Sequence, residues 1–319
     1  MINRRHIWFG IQAIGTLVLL ALLFRNFDWV RFFDVLSAMS PAFYAGSLLV
    51  VIALQLMTAI RWQMVLSALG VTVSFGEVLR QALIGMFFSN LMPTAVGGDA
   101  VKVYYLGRTA GYAEVGASVL LDRFLGFLWL AIAGSTIAWI VPADSALLQL
   151  NRHLLTLFAV VLSALAFASR LPIEPVIARV MPSRWQALQA RLNEFIGLLR
   201  RGALRPAPMA ASLVFALVMS RMNAELYLRY FQASGLPALP VLPVLLVMIS
   251  MSVFVNVPLS VNGIGLREQL HVLLFAGLGV PPEVAVWIAL LLFSHSLVLS
   301  LVGCGLWLRV KRDVVPATP

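Results

Sequence analysis

Residues 90–106, NLMPTAVGGDAVKVYYL, put a proline, two glycines, an acid and a base where an apolar run beginning at Phe75 should finish. Proline lacks an amide hydrogen and glycine releases the backbone from helical geometry, so Pro93 and Gly97-Gly98 mark a break. A helix starting near Asp99 would present unpaired N–H groups, which hold anions such as phosphate. Lys102, one turn on, adds positive charge. Asp99 is equally suited to cap that helix, and residue type alone does not choose between cap and site. The stretch from Phe254, FVNVPLSVNGIGLREQL, repeats the ingredients with Asn256, Pro258, Asn262, Gly263, Gly265 and Arg267-Glu268. Without a gap, Phe88 aligns with Phe254, Asn90 with Asn256 and Gly97 with Gly263, while Pro93 and Pro258 fall one position apart. This is the chemistry of amides and cations gathered round an anion.

Other polar residues stand inside apolar runs. Arg221 and Glu225 are four apart, hence on one helical face, where they either meet a headgroup or lock the bundle as a pair. Arg229, a turn further, can snorkel. Asp122-Arg123 reads as an interfacial anchor or as part of a site, and Arg61-Trp62 as an anchor. His271 and His295 read as hydrogen-bonded packing residues rather than proton relays. The four histidines lack metal-ligand spacing, and there is no Walker loop, no His-Glu-x-x-His and no Gly-x-Ser-x-Gly. No metal and no cofactor is expected. The only plausible catalytic carboxylates, for a membrane-embedded transferase, are Asp99 and Glu268.

The elements that carry these residues belong to a membrane protein. The chain is 61% hydrophobic and 11% charged, against about 45–50% and about 25% in soluble domains. A net charge of +10 fits loop arginines that orient the chain in a membrane better than it fits nucleic acid. Apolar runs fall at 7–24, 43–60, 75–92, 116–141, 154–169, 208–231, 241–260, 266–280 and 284–308. Arginines near the N-terminus, in 170–205 and at 309–312 place all three on the cytoplasmic side. Parity then requires 75–112 to begin and end inside and 241–280 to begin and end outside. The expectation is one transmembrane domain over 1–319, an all-α polytopic bundle with about six full crossings and two re-entrant hairpins in an inverted repeat. Its first half is 1–169 with hairpin 75–112, and its second is 206–319 with hairpin 241–280. Between them lies a cytoplasmic amphipathic connector, 170–205, whose apolar residues from Trp185 to Leu199 recur at helical spacing. It is read either as a helix on the membrane surface or as a mere link.

The stretches 90–106, LLDRFLGFLWL (120–130) and VNVPLSVNGIGLREQLHVLLF (255–275) resemble the lysylphosphatidylglycerol synthase transmembrane-region family. The resemblance covers nearly the whole chain. It implies an integral membrane lipid translocase or accessory of the bacterial cytoplasmic membrane. Members include the flippase half of the multiple peptide resistance factor, and others belong to glycolipid, polyprenyl or hopanoid pathways. In the resistance factor an aminoacyl-transferase domain follows. Here seven residues follow Arg312, so transport rather than aminoacyl transfer is expected. The expected substrate-binding residues are Asn90, Pro93, Gly97, Gly98, Asp99, Lys102, Asp122, Arg123, Arg221, Glu225, Asn256, Pro258, Asn262, Gly263, Gly265, Arg267 and Glu268. The expected partners are membrane lipids with an anionic headgroup, with homo-oligomerisation left open and no nucleic acid. A scaffold for a lipid-biosynthetic complex is the remaining reading.

Overall fold

The computed structural model describes residues 4–25, 27–92, 97–142, 146–168, 186–203, 206–255, 260 and 263–314. Its helices are α1 (Arg4–Phe24), α2 (Trp29–Ser37), α3 (Pro41–Ala68), α4 (Phe75–Leu91), α5 (Gly97–Ala110), α6 (Tyr112–Ile140) and α7 (Ala146–Ala168). They continue with α8 (Gln186–Ala203), α9 (Pro206–Ala233), α10 (Val241–Phe254), α11 (Leu266–Ala276) and α12 (Pro282–Val314). No strand occurs among the described residues.

Helix is what lipid demands, because each backbone amide must find its partner within the segment. Side chains set the starts. Ser40 precedes Pro41 and accepts the Phe43 amide at 3.2 Å, and Ser74 accepts the Glu77 amide at 3.3 Å. Five helices, α3, α6, α7, α9 and α12, are long and apolar enough to cross a membrane. They present Leu49, Val160, Val214 and Leu301 outward, as lipid-facing surfaces require. The molecule is an all-α polytopic membrane protein. The sixth expected crossing, α1, has 21 residues, although its described side chains, Ile14–Phe24, form a shorter apolar stretch.

Several boundaries differ from expectation: α3 runs on to Ala68 rather than ending at 60 and so carries Arg61 and Trp62, α10 ends at Phe254 rather than 260, and α12 reaches Val314 rather than 308. Helix α7 starts at Ala146, not at 154, and so takes in Asn151 and Arg152. Both are satisfied inside the bundle. Arg152 donates to the Ala138 and Val141 carbonyls at 2.7 and 2.9 Å, which caps the end of α6, and Asn151 donates to the Ser250 hydroxyl at 2.9 Å. Helix α2 was not expected. It is capped by Asp28, and its Phe32 is buried beneath exposed Trp29, Val30 and Phe33.

Helices α5, α10 and α11 have 14, 14 and 11 residues. At 1.5 Å per residue they reach about 21 Å or less, short of a hydrocarbon core about 30 Å thick. They pack in two pairs, α5 with α4 and α10 with α11. Each pair sits in a similar frame. A 28-residue helix precedes it (α3 or α9) and a long helix follows it (α6 or α12). Both 28-residue helices end on a glycine with positive φ, Gly70 at 86° and Gly235 at 80°. In each, the next residue's amide bonds back to close the turn, Val71 to Leu66 and Leu236 to Phe231, both at 3.0 Å. The two frames exchange neighbours: α4 packs on α12 and α10 on α6, while α3 packs on α9. The segment 186–203 of the expected connector is helix α8, which lies against α6 with Leu198 buried.

Candidate functional site

The break near residue 97 delivers Asp99 to the third position of α5, where its carboxylate is 11% exposed. It accepts from Lys102 Nζ at 3.2 Å and from the Arg123 guanidinium on α6. One turn below on α3, Arg61 pairs with Asp122 at 3.0 Å. Asp99 therefore does more than cap a helix. Arg61 and Trp62 correct the expectation of an interfacial anchor, because both turn inward. Trp62 is 3% exposed, donates to Ser118 Oγ at 3.1 Å and lies 5.3 Å beneath Lys102 Nζ. Gly126 makes the room: a β-carbon there would stand 2.9 Å from Arg61 Nη1.

These five charged groups share a cavity of about 240 Å³ with Gln55 and Thr58. Three cations face two carboxylates, leaving an excess of one positive charge. Hydrogen-bonding capacity is left over: Arg61 Nε and Asp122 Oδ1 are buried without a partner. Such atoms are costly unless water or a ligand meets them. Arg61 and Arg123 also line a second cavity of about 360 Å³, bounded by Phe127, Leu130, Ala216, Met219 and Ser220. Leu130, Ala216 and Ser220 also border a small third cavity of about 60 Å³, which Arg221 lines as well. The second cavity joins the two arginines to a lining that is mostly apolar, with Ser220, Asn223 and Ser252 as its other polar residues.

A second cluster lies in the other hairpin. Glu268 is third in α11, as Asp99 is third in α5. Its Oε1 accepts from Arg267 Nε and Nη2 at 3.1 and 2.8 Å, and its Oε2 accepts the Gly265 amide at 2.7 Å. His271, sixth in α11 as Lys102 is in α5, meets Tyr227 Oη at 2.9 Å and stacks on that ring. Tyr227 is twenty-second in α9, and Trp62, beneath Lys102, is twenty-second in α3. Arg123 is twelfth in α6; Phe293, which carries the Arg267 guanidinium 4.5 Å above its ring, is twelfth in α12. The Lys102–Trp62 contact thus recurs at matched positions as His271–Tyr227 with different chemistry, whereas the Arg267–Phe293 contact is offset by one residue in α11 from Asp99–Arg123.

Other expected residues are placed elsewhere. Asn90 donates to Ser296 and Ser300 hydroxyls of α12 at 2.9 and 2.6 Å. Gly97 packs on Met92, and Gly98 on the Gly85 carbonyl and Ser89 hydroxyl of α4, so the close approach at Gly98 is between two helices of the hairpin. Gly263 and Gly265 have φ of 73° and 81°, which shapes the entry to α11. Arg221 pairs with Glu225 at 2.9 Å, and Glu225 with Arg229 at 3.5 Å, along one face of α9 where all three are more than two-fifths exposed. They take no part in the Asp99 cluster. Pro93, Asn256, Pro258 and Asn262 lie outside the described residues. Among the described residues no three His, Cys, Asp or Glu side chains group to hold a metal ion. His271 and His295 are hydrogen-bonded packing residues, the latter 2.9 Å from Ser47 Oγ. Sequence reasoning missed Gln55, Thr58, Arg61 and Tyr227. The spacing of Arg61 from other charges gave no signal, since its partner is 61 residues away.

Fold and site together define a polytopic helical membrane protein with a cluster of paired charges inside its bundle. Residues 7–303 match the family described as the lysylphosphatidylglycerol synthase TM region. The chain belongs to that family. It is 25% identical over 261 residues to a UPF0104 membrane protein of Pyrococcus horikoshii, covering 74% of this chain and 77% of the relative. It is 27% identical over 135 residues to a UPF0104 membrane protein of Methanothermobacter thermautotrophicus, covering 41% of this chain and 37% of that relative. No solved structure matches it.

Proposed function

We propose that this protein carries a lipid with an anionic headgroup from one leaflet to the other, as a transporter rather than an enzyme. The supporting observation is that Arg61 and Arg123 line both the cavity around Asp99 and a larger, mostly apolar cavity between α6 and α9. A phosphate entering the first cavity takes the place of Asp99 at Arg123 or Lys102, so cations exchange one oxygen partner for another and are never left bare. Exchange of this kind avoids the desolvation that makes an unpaired charge inside a membrane so costly. The acyl chains stay along the apolar walls between α6 and α9. Among proteoliposomes holding the purified chain, fluorescent phosphatidylglycerol of the inner leaflet should become accessible to an external quencher within minutes. Ser220→Phe, which crowds the two cavities that this residue lines, should abolish that exposure while leaving the thermal midpoint in detergent within a degree or two. A rate equal to that of empty liposomes would end the proposal.

The matched frames support a further part of this reading, in which the two hairpins are inverted repeats that enter the membrane from opposite faces. The termini and connector then face the cytoplasm. In a Cys304→Ser background, Thr72→Cys should be labelled only after permeabilisation and Leu236→Cys from outside in intact cells. Thr72 lies four residues past the end of α3 and Leu236 three past the end of α9. Labelling of both from one side sinks the inversion and leaves the transport assay standing.

A further inference from the structure

We propose that the mouth of the first hairpin is a separate binding site for a small zwitterion that carries an ammonium and a phosphate or carboxylate. A cavity of about 1070 Å³ opens between the α3–α4 turn and the α5–α6 turn. It shares no lining residue with the charged cavity around Asp99. Two opposite charges face it without an ion-pair partner among the described residues, Arg108 in the last turn of α5 and Glu114 in the first turn of α6. Arg108 only leans on the Tyr104 ring, at 5.9 Å, and Glu114 folds back over Gly111. The remaining charges are already matched, since Glu77 holds both Arg80 and the Gln81 amide.

Gln81 supplies the observation that points to a ligand. It is 2% exposed and lines the cavity, and its Oε1 has no hydrogen-bond partner. A buried acceptor in that condition calls for a donor that the described side chains do not supply, a water or a ligand. An ammonium is such a donor, and it also suits Glu114. Helix polarity adds to the match. The mouth gathers the negative carboxyl ends of α3 and α5 and the positive amino ends of α4 and α6, so each sign of charge finds a favourable end. Arg108 and Glu114 also suit the dipoles of their own helices. That role would make them stabilising without making a site, and it is the outcome the experiment must separate.

Titration calorimetry on the purified full chain in detergent supplies the test, with phosphoethanolamine as the probe. It should bind at least tenfold more tightly than inorganic phosphate or ethanolamine alone, because each of those answers only one of the two charges. Arg108→Gln and Glu114→Gln should each erase that preference, and Gln81→Leu should weaken binding severalfold. Equal binding of inorganic phosphate, or no saturable binding of phosphoethanolamine at millimolar concentration, overturns the proposal on the unmodified chain. Unchanged affinity in Arg108→Gln overturns it as well. If the two charge variants shift only the thermal midpoint, the residues serve the helix ends and the site does not exist. Nanodiscs with and without phosphatidylethanolamine then identify the source. Competition with the free probe assigns the site to a lipid headgroup, and its absence assigns it to a soluble molecule. Neither bears on translocation through the Asp99 cavity, which is measured separately by the proteoliposome assay.

Discussion

Asp99→Ala should stop lipid translocation and lower the thermal midpoint, and adding Arg123→Gln should recover the midpoint without the activity. The carboxylate binds both Lys102 and Arg123, which are 23% and 37% exposed. Removing one member of a fully buried pair costs about 3–5 kcal/mol, because the survivor keeps its desolvation and loses its partner. The two cations here border a cavity that water can enter, which lowers the figure to roughly 1–3 kcal/mol. Neutralising Arg123 as well takes away most of that penalty and leaves Lys102 above the Trp62 ring beside the Arg61–Asp122 pair. Stability and function therefore part company in the double variant. A headgroup phosphate needs the cations, whereas the fold needs only that they be balanced. The measurements are the quencher assay in proteoliposomes and the melting midpoint in detergent. Normal transport by the double variant would remove this cluster from the translocation route.

Gly98→Leu should cost the protein its hairpin, and transport should fall with the folded fraction. If the glycines at the break let backbone approach a headgroup, their larger variants would be stable and inactive. The packing points another way. A β-carbon on Gly98 would run into the Gly85 carbonyl and the Ser89 hydroxyl, and one on Gly85 would meet the Lys102 stem. Backbone cannot retreat as a side chain can. Alanine at 98 should therefore destabilise by roughly 1–3 kcal/mol, the usual cost of overpacking, and leucine by more. On the other side of α4, Gly303 of α12 approaches the Leu83 carbonyl just as closely, so α4 is held between two helices at small-residue contacts. Prying α5 from α4 would also displace Asp99 and Lys102 from Arg123. Thermal midpoints of both variants, set beside their transport rates, decide the matter. A Gly98→Leu protein that melts like the parent but does not transport would restore the headgroup reading.

Local sequence was enough for the class and for most of the elements. A hydrophobic run of some twenty residues can only be a helix in lipid, and Pro93 with Gly97-Gly98 can only interrupt one, so α4, α5 and α9 were legible with their ends, and α3, α6 and α12 as elements that the structure extends. Boundaries failed where polar residues were satisfied by distant groups. Asn151 and Arg152 looked too polar for a span until Ser250 and the end of α6 received them. Asp99, Lys102, Asp122 and Arg123 could be suspected from their unusual charge in apolar surroundings.

What sequence could not supply is pairing, because an ion pair is a matter of distance in space. Arg61 meets Asp122 across 61 residues and Asn90 meets Ser300 across 210. Nothing in the neighbourhood of Arg61 separated an inward cation from an interfacial anchor. The packing of α3 against α6 turned it inward, with Gly126 leaving space for its guanidinium. The same holds for the matched positions of Trp62 with Tyr227 and Lys102 with His271. Their residue types differ, so alignment of letters hides the correspondence. Helix length and packing preserve it, since a residue's place along a helix fixes its height and direction whatever its side chain.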